Sequence, residues 1–69
     1  MFIHHLDVPG VFASIDKVLA DNDINIRATY SRQIGKSGYA IAIYVLHKKV
    51  NADIISKLKA IPNVCNVKV

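Results

Sequence analysis

The longest uninterrupted apolar run in the chain is Tyr39–Leu46, and it is eight residues long. A helix that crosses a bilayer needs about 20 apolar residues, so this run is no membrane span. Gly35-Lys36-Ser37-Gly38 stands just before it and is a turn by composition. In an extended segment Ile41, Ile43 and Val45 fall on one face, and Ala40, Ala42 and Tyr44 on the other. A strand that is apolar on both faces is expected at the centre of a sheet with both sides covered. The rest of a 69-residue chain has to supply that cover.

The flanking segments read as one short repeat. Phe2–Leu6 is a strand that ends at Asp7-Val8-Pro9-Gly10, where Pro9 pushes Val8 toward extended backbone and Gly10 permits a close turn. Val11, Phe12, Ile15, Val18 and Leu19 are spaced as one face of a helix that stops at Asn22-Asp23. Ile24, Ile26, Ala28 and Tyr30 alternate with polar residues, which predicts a strand with one buried face. After Tyr39–Leu46, Asn51 is placed to cap a second helix whose buried stripe is Ile54, Ile55, Leu58 and Ile61. Pro62 closes that helix, and Val64–Val69 makes a last strand.

The order is strand, helix, strand, strand, helix, strand. Right-handed crossovers then put both helices on one face of a four-stranded antiparallel sheet. The fold class is α+β, a ferredoxin-like βαββαβ sandwich. Its other sheet face is partly bare, and Ala40, Ala42 and Tyr44 are expected there or at an edge where another sheet continues.

Composition adds two constraints. The chain is 52% hydrophobic and 20% charged, with a mean hydropathy of +0.29, which excludes intrinsic disorder. A domain this short buries only about 60% of its unfolded surface, so the apolar content predicts a partner surface, most simply a second copy. The net charge of +4 lies entirely in residues 48–69, where Lys48, Lys49, Lys57, Lys59 and Lys68 face Asp53 alone. A solvated face is the plain reading of that bias; a nucleic-acid or anionic membrane surface is the other. The single cysteine, Cys65, excludes an internal disulfide, and in an apolar strand it reads as structural. The start, Met1-Phe2-Ile3-His4-His5, is not a signal peptide, and a cytoplasmic domain is the expectation.

Three constellations could carry function. His5, Asp7 and Gly10 gather at the end of the first strand, and Asn25 starts the second, which a crossover helix can bring beside the first. Helix N-terminal amides suit a carboxylate, Asp7 suits an ammonium, and Asn25 can do either, so together they suit a zwitterion. The plainer reading has Asp7 capping the helix and Asn25 in a turn. His4-His5 face opposite sides of a strand, and no Cys-x-x-Cys occupies the first loop, so no metal site is expected. Tyr30, Tyr39 and Tyr44 could stack RNA bases, but the basic and aromatic run of an RNA-recognition strand is missing, which argues against nucleic acid. No triad, phosphate loop or reactive thiol points to catalysis.

Asp7-Val8-Pro9-Gly10-Val11 and Asp23-Ile24-Asn25-Ile26 resemble the signature of the ACT domain, an amino-acid-sensing regulatory module of metabolic enzymes. The element order matches along nearly the whole chain. Within that family, Ile3-His4-His5, Ala28-Thr29-Tyr30, Ser37-Gly38-Tyr39-Ala40-Ile41 and Lys59-Ala60-Ile61-Pro62 are most similar to the C-terminal serine-sensing domains of D-3-phosphoglycerate dehydrogenases. The resemblance implies that residues 1–69 are one regulatory domain of a larger enzyme of serine biosynthesis. It implies no catalysis in this domain, and a cofactor, NAD, only in the parent's catalytic part. The implied ligand is L-serine, held between two chains by His5, Asp7 and Asn25, with Val8, Pro9, Gly10, Val11 and Ile26 around it. It also implies a homodimer joined edge to edge through the first helix and adjoining strand, with eight strands in one sheet. Asp7 departs from the pattern, because it brings a carboxylate where those domains often carry an amide. Two other roles stand beside sensing: an ACT domain that only dimerises, and a nucleic-acid-binding module of the same fold.

Overall fold

A computed structural model describes all 69 residues, Met1–Val69. The elements run β1 (Phe2–Leu6), α1 (Val11–Asp21), β2 (Ile26–Gln33), β3 (Tyr39–Leu46), α2 (Ala52–Lys59) and β4 (Val64–Lys68). The sheet has four strands in the order β2-β3-β1-β4, all neighbours antiparallel. This is the ferredoxin-like βαββαβ arrangement.

Local chemistry explains both helices. The apolar stripe of α1 buries Val11, Ile15 and Leu19 and leaves Phe12 and Val18 half-buried. In α2 the buried residues are Ile54 and Leu58, and Ile61 follows beyond its end. Asn51 caps α2 by accepting from the Ile54 N–H at 2.9 Å. Asp53 in the first turn and Lys57 and Lys59 in the last complement the helix dipole. Below the helices, Ile3, Ala42, Tyr44 and Val67 complete one core with the two stripes.

The faces of β3 are the reverse of the expectation. Ala40, Ala42 and Tyr44 are the covered ones, at 0%, 0% and 2% exposure. Two alanines let a helix approach the sheet closely, and the Tyr44 ring fills the space beyond them. Its hydroxyl donates to Asp16 Oδ1 on α1 at 3.0 Å. Ile41, Ile43 and Val45 point to the open side, where the register joins them to Phe2, His4, Ala28 and Tyr30. No helix of this chain covers that side.

Two further expectations fail for local reasons. The register of β2 shifts between Ile26 and Ala28, so Arg27 is an extra residue. A bulge of this kind breaks the two-residue alternation. Ile26 therefore packs toward the core, while Tyr30 is 60% exposed on the open face. Cys65 sits where β4 shifts register against His4 and His5, and its thiol is exposed rather than structural.

Candidate functional site

The connection from β1 to α1 is held from three sides. Asp7 N–H donates to Gly38 O at 2.8 Å, which ties it to the β2–β3 turn. Leu6 N–H donates to Asn63 O at 2.8 Å, which ties it to the loop before β4. Val8 N–H turns back onto Leu6 O at 3.0 Å. Gly10 then adopts φ 93°, in the left-handed region where a side chain is disfavoured, and α1 begins.

No side chain caps that helix start. Asp7 is therefore not a cap, and the plainer reading of this residue fails. Its carboxylate accepts instead from Gln33 Nε2 at 3.0 Å. The N–H groups of the first helical turn have no intrahelical acceptor, so they remain available to an anion.

His5 is the one buried polar residue of the chain, at 1% exposure. Its Nδ1 lies 2.9 Å from Leu6 O. A carbonyl can only accept, so Nδ1 carries a proton and Nε2 is the ring nitrogen left for another partner. That Nε2 is buried and has no partner. The ring is fixed edge-on to Phe12, with centroids 5.2 Å apart. A buried ring nitrogen without a partner is costly, and a hydroxyl, which can donate or accept, is one group that would satisfy it.

Two clefts flank the loop. One, of about 200 Å³, is lined by Asp7, Gln33, Gly35, Lys36, Gly38 and Tyr39. The other, of about 190 Å³, lies at the helix start between Pro9, Gly10, Val11 and Ser14 on one side and Pro62 and Asn63 on the other. The largest cleft, about 370 Å³, is elsewhere, between the chain ends and His47, Lys48 and Lys49. Nowhere do three or more His, Cys or acidic side chains converge as metal ligands would. No helix is long and apolar enough to cross a membrane.

Asn25 is not beside His5 and Asp7. A strand–helix–strand crossover makes its two strands parallel, so β2 starts level with the start of β1, not with its end. In register terms Ile26 pairs with Leu46, whereas Gln33 pairs with Ala40 and Leu6 with Tyr39. The length of β2, roughly 23 Å at about 3.3 Å per residue, separates Asn25 from the loop. There the Asn25 N–H donates to His47 Nδ1 at 2.8 Å and the His47 N–H donates to Asn25 O at 3.1 Å. These bonds tie the Asn25 backbone and leave its carboxamide free. Gln33 and Lys36 are site neighbours that the sequence did not reveal. Only the pairing of Leu6 with Tyr39 puts their hairpin opposite the loop.

Of the three tyrosines, only Tyr30 and Tyr39 are exposed on the open face. Tyr44 is buried, and between Tyr30 and Tyr39 the open face carries Ile41 and Ile43.

The fold, the Pro-Gly helix start and the polar groups around it define a class, and the family model for the ACT domain matches residues 1–63. The chain belongs to the ACT domain family. It is 31% identical over 68 residues to D-3-phosphoglycerate dehydrogenase of Bacillus subtilis (strain 168). That match covers 99% of this chain and 13% of the enzyme. The chain is thus an ACT regulatory domain related to a phosphoglycerate dehydrogenase.

Proposed function

We propose that this domain senses L-serine for feedback control of a phosphoglycerate dehydrogenase, and that its site is made by two copies. The observation that carries the reading is the buried, unpartnered Nε2 of His5 beside an uncapped helix start. A small hydroxy amino acid offers a hydroxyl that can pair with His5 Nε2 and a carboxylate that free helix amides attract. Val8, Pro9, Gly10 and Val11 form the wall that lets the ligand come close.

A two-fold pair resolves the position of Asn25. The β2 strand is an edge of the sheet, with one side unpaired. Edge strands are templates for pairing. Two β2 edges joined antiparallel about a two-fold axis place the start of one β2 beside the end of the other. Asn25 of the second copy then stands next to Gln33 and the loop that holds Asp7, and Ile26 packs behind it. The combined sheet has eight strands, and two equivalent sites result.

Regulation follows by linkage. Serine binds the paired arrangement better than any other and so biases whatever is attached to the domain. In this reading NAD and the chemistry belong to the parent enzyme in the cytoplasm, and the domain itself needs no cofactor. Isothermal titration with L-serine tests the reading. Saturable heat that is lost in Asn25→Ala supports it; no heat at millimolar serine contradicts serine as the ligand.

A further inference from the structure

Resting on the amino-acid-sensing reading above, we propose that Lys36, on the β2–β3 hairpin, is part of the ligand site and supplies the counter-charge for the ligand's carboxylate.

The argument begins with Asp7. An ionised carboxylate is acceptor only. It attracts the ammonium of an amino acid and repels its carboxylate, so a cation nearby adds to what the uncharged helix amides offer that end. An amide at the same position could have donated instead. Lys36 lines the same cleft of about 200 Å³ as Asp7. It forms no ion pair, since the two ion pairs of the chain are Lys17–Asp21 and Lys57–Asp53. A cation and an anion therefore share one small cleft without contacting each other.

Two further contacts make this cleft a defined shape. Gln33 Nε2 holds Asp7 Oδ2 at 3.0 Å and leaves the other carboxylate oxygen free. Asp7 N–H on Gly38 O at 2.8 Å fastens the loop to the hairpin that carries Lys36. These contacts hold the Asp7 carboxylate and the hairpin backbone from which Lys36 projects. The class of ligand selected is a free α-amino acid in its zwitterionic form. Amines and carboxylic acids that carry only one of the two charges lose half of the recognition.

The test uses the full chain and titration calorimetry with L-serine and with L-serinamide, which lacks the carboxylate. Lys36→Gln is expected to weaken serine about three- to tenfold, the range for a partly solvated charge-assisted contact. It should narrow the preference for serine over serinamide by the same factor. Lys36→Arg should restore both. Thermal melting checks that the variants fold. If Lys36→Gln binds serine as the native chain does while Asn25→Ala does not bind, the role of Lys36 is overturned and serine sensing stands. If Lys36→Gln weakens binding and Lys36→Arg does not restore it, the charge role is overturned. If the native chain binds no amino acid, the sensing reading and this inference fall together.

Discussion

Asp7 and Asn25 stand at opposite ends of the sheet, although the chain carries the motif of a single site. Asp7 sits against Gln33 at the end of β2, and Asn25 sits against His47 at its start. One copy of the domain cannot close both around one small ligand.

If the site is shared between two copies, as proposed, ligand binding and association are linked. Anything that binds the pair but not the single chain shifts the equilibrium toward the pair. Sedimentation velocity at low protein concentration should show L-serine driving the chain into dimers. A sedimentation coefficient that does not change at saturating serine contradicts the linkage.

The contact between Tyr44 and Asp16 predicts a pH effect. Burial first, then the Asp16 charge and hydrogen bond, hold the Tyr44 phenol well above the usual tyrosine range. Below pH about 10 the phenol is protonated in folded and unfolded chains alike. Above it the unfolded chain releases the proton and the folded chain keeps it. The folded state then binds more protons, so stability falls as pH rises past about 10. Urea unfolding between pH 8 and 11, a window set about that phenol value, should show this decline in the native chain and a shallower one in Tyr44→Phe. An identical decline in both removes Tyr44 as its cause. At neutral pH Tyr44→Phe should cost about 1 kcal/mol, the worth of one hydrogen bond.

The core and a helix cap should differ in weight. At roughly 0.05–0.15 kcal/mol per residue a domain of this size has only a few kcal/mol of net stability. Leu19 is fully buried in α1, and Leu19→Ala should cost about 3 kcal/mol, leaving much of the population unfolded. Asn51→Ala removes the cap of α2 and should cost about 1 kcal/mol. Urea midpoints measure both. Equal losses would mean that α2 depends on its cap far more than its packing suggests.

The open face should be tolerant of polar residues in the single domain. Tyr30 is 60% and Val45 is 45% exposed there. Tyr30→Thr with Val45→Thr should lower binding of a hydrophobic dye and change the urea midpoint little. A loss above about 2 kcal/mol, the scale for uncovering buried apolar side chains, would show that this face is covered in solution.

The sequence made the elements and most of the core legible because apolar spacing is a local signal. Val11, Ile15 and Leu19 announce their helix, and Asn51 announces its cap. Alternation in β3 showed that Ala40, Ala42 and Tyr44 share a face, but not which face the helices take. That choice is a packing decision: small residues under a helix, branched ones outside. The bulge at Arg27 was invisible because nothing local marks an extra residue in a strand whose partner lies at distant positions. The motif around Asp7 and Asn25 offered candidate site residues by their chemistry. Their separation follows from the parallel direction that a strand–helix–strand crossover imposes, not from their spacing in the sequence. Lys36 and Gln33 joined the cleft only through the pairing of β1 with β3.

The most direct measurement mixes two defective variants. Asp7→Ala and Asn25→Ala are prepared separately, and each is titrated with L-serine alone and then as an equimolar mixture. In a pair that shares its sites, neither variant alone has an intact one. A mixed pair has one site with both defects and one with neither. The account predicts no serine binding by either variant and recovered binding, at native affinity, in the mixture. Native-like binding by either variant alone, or a mixture as silent as its components, would contradict it.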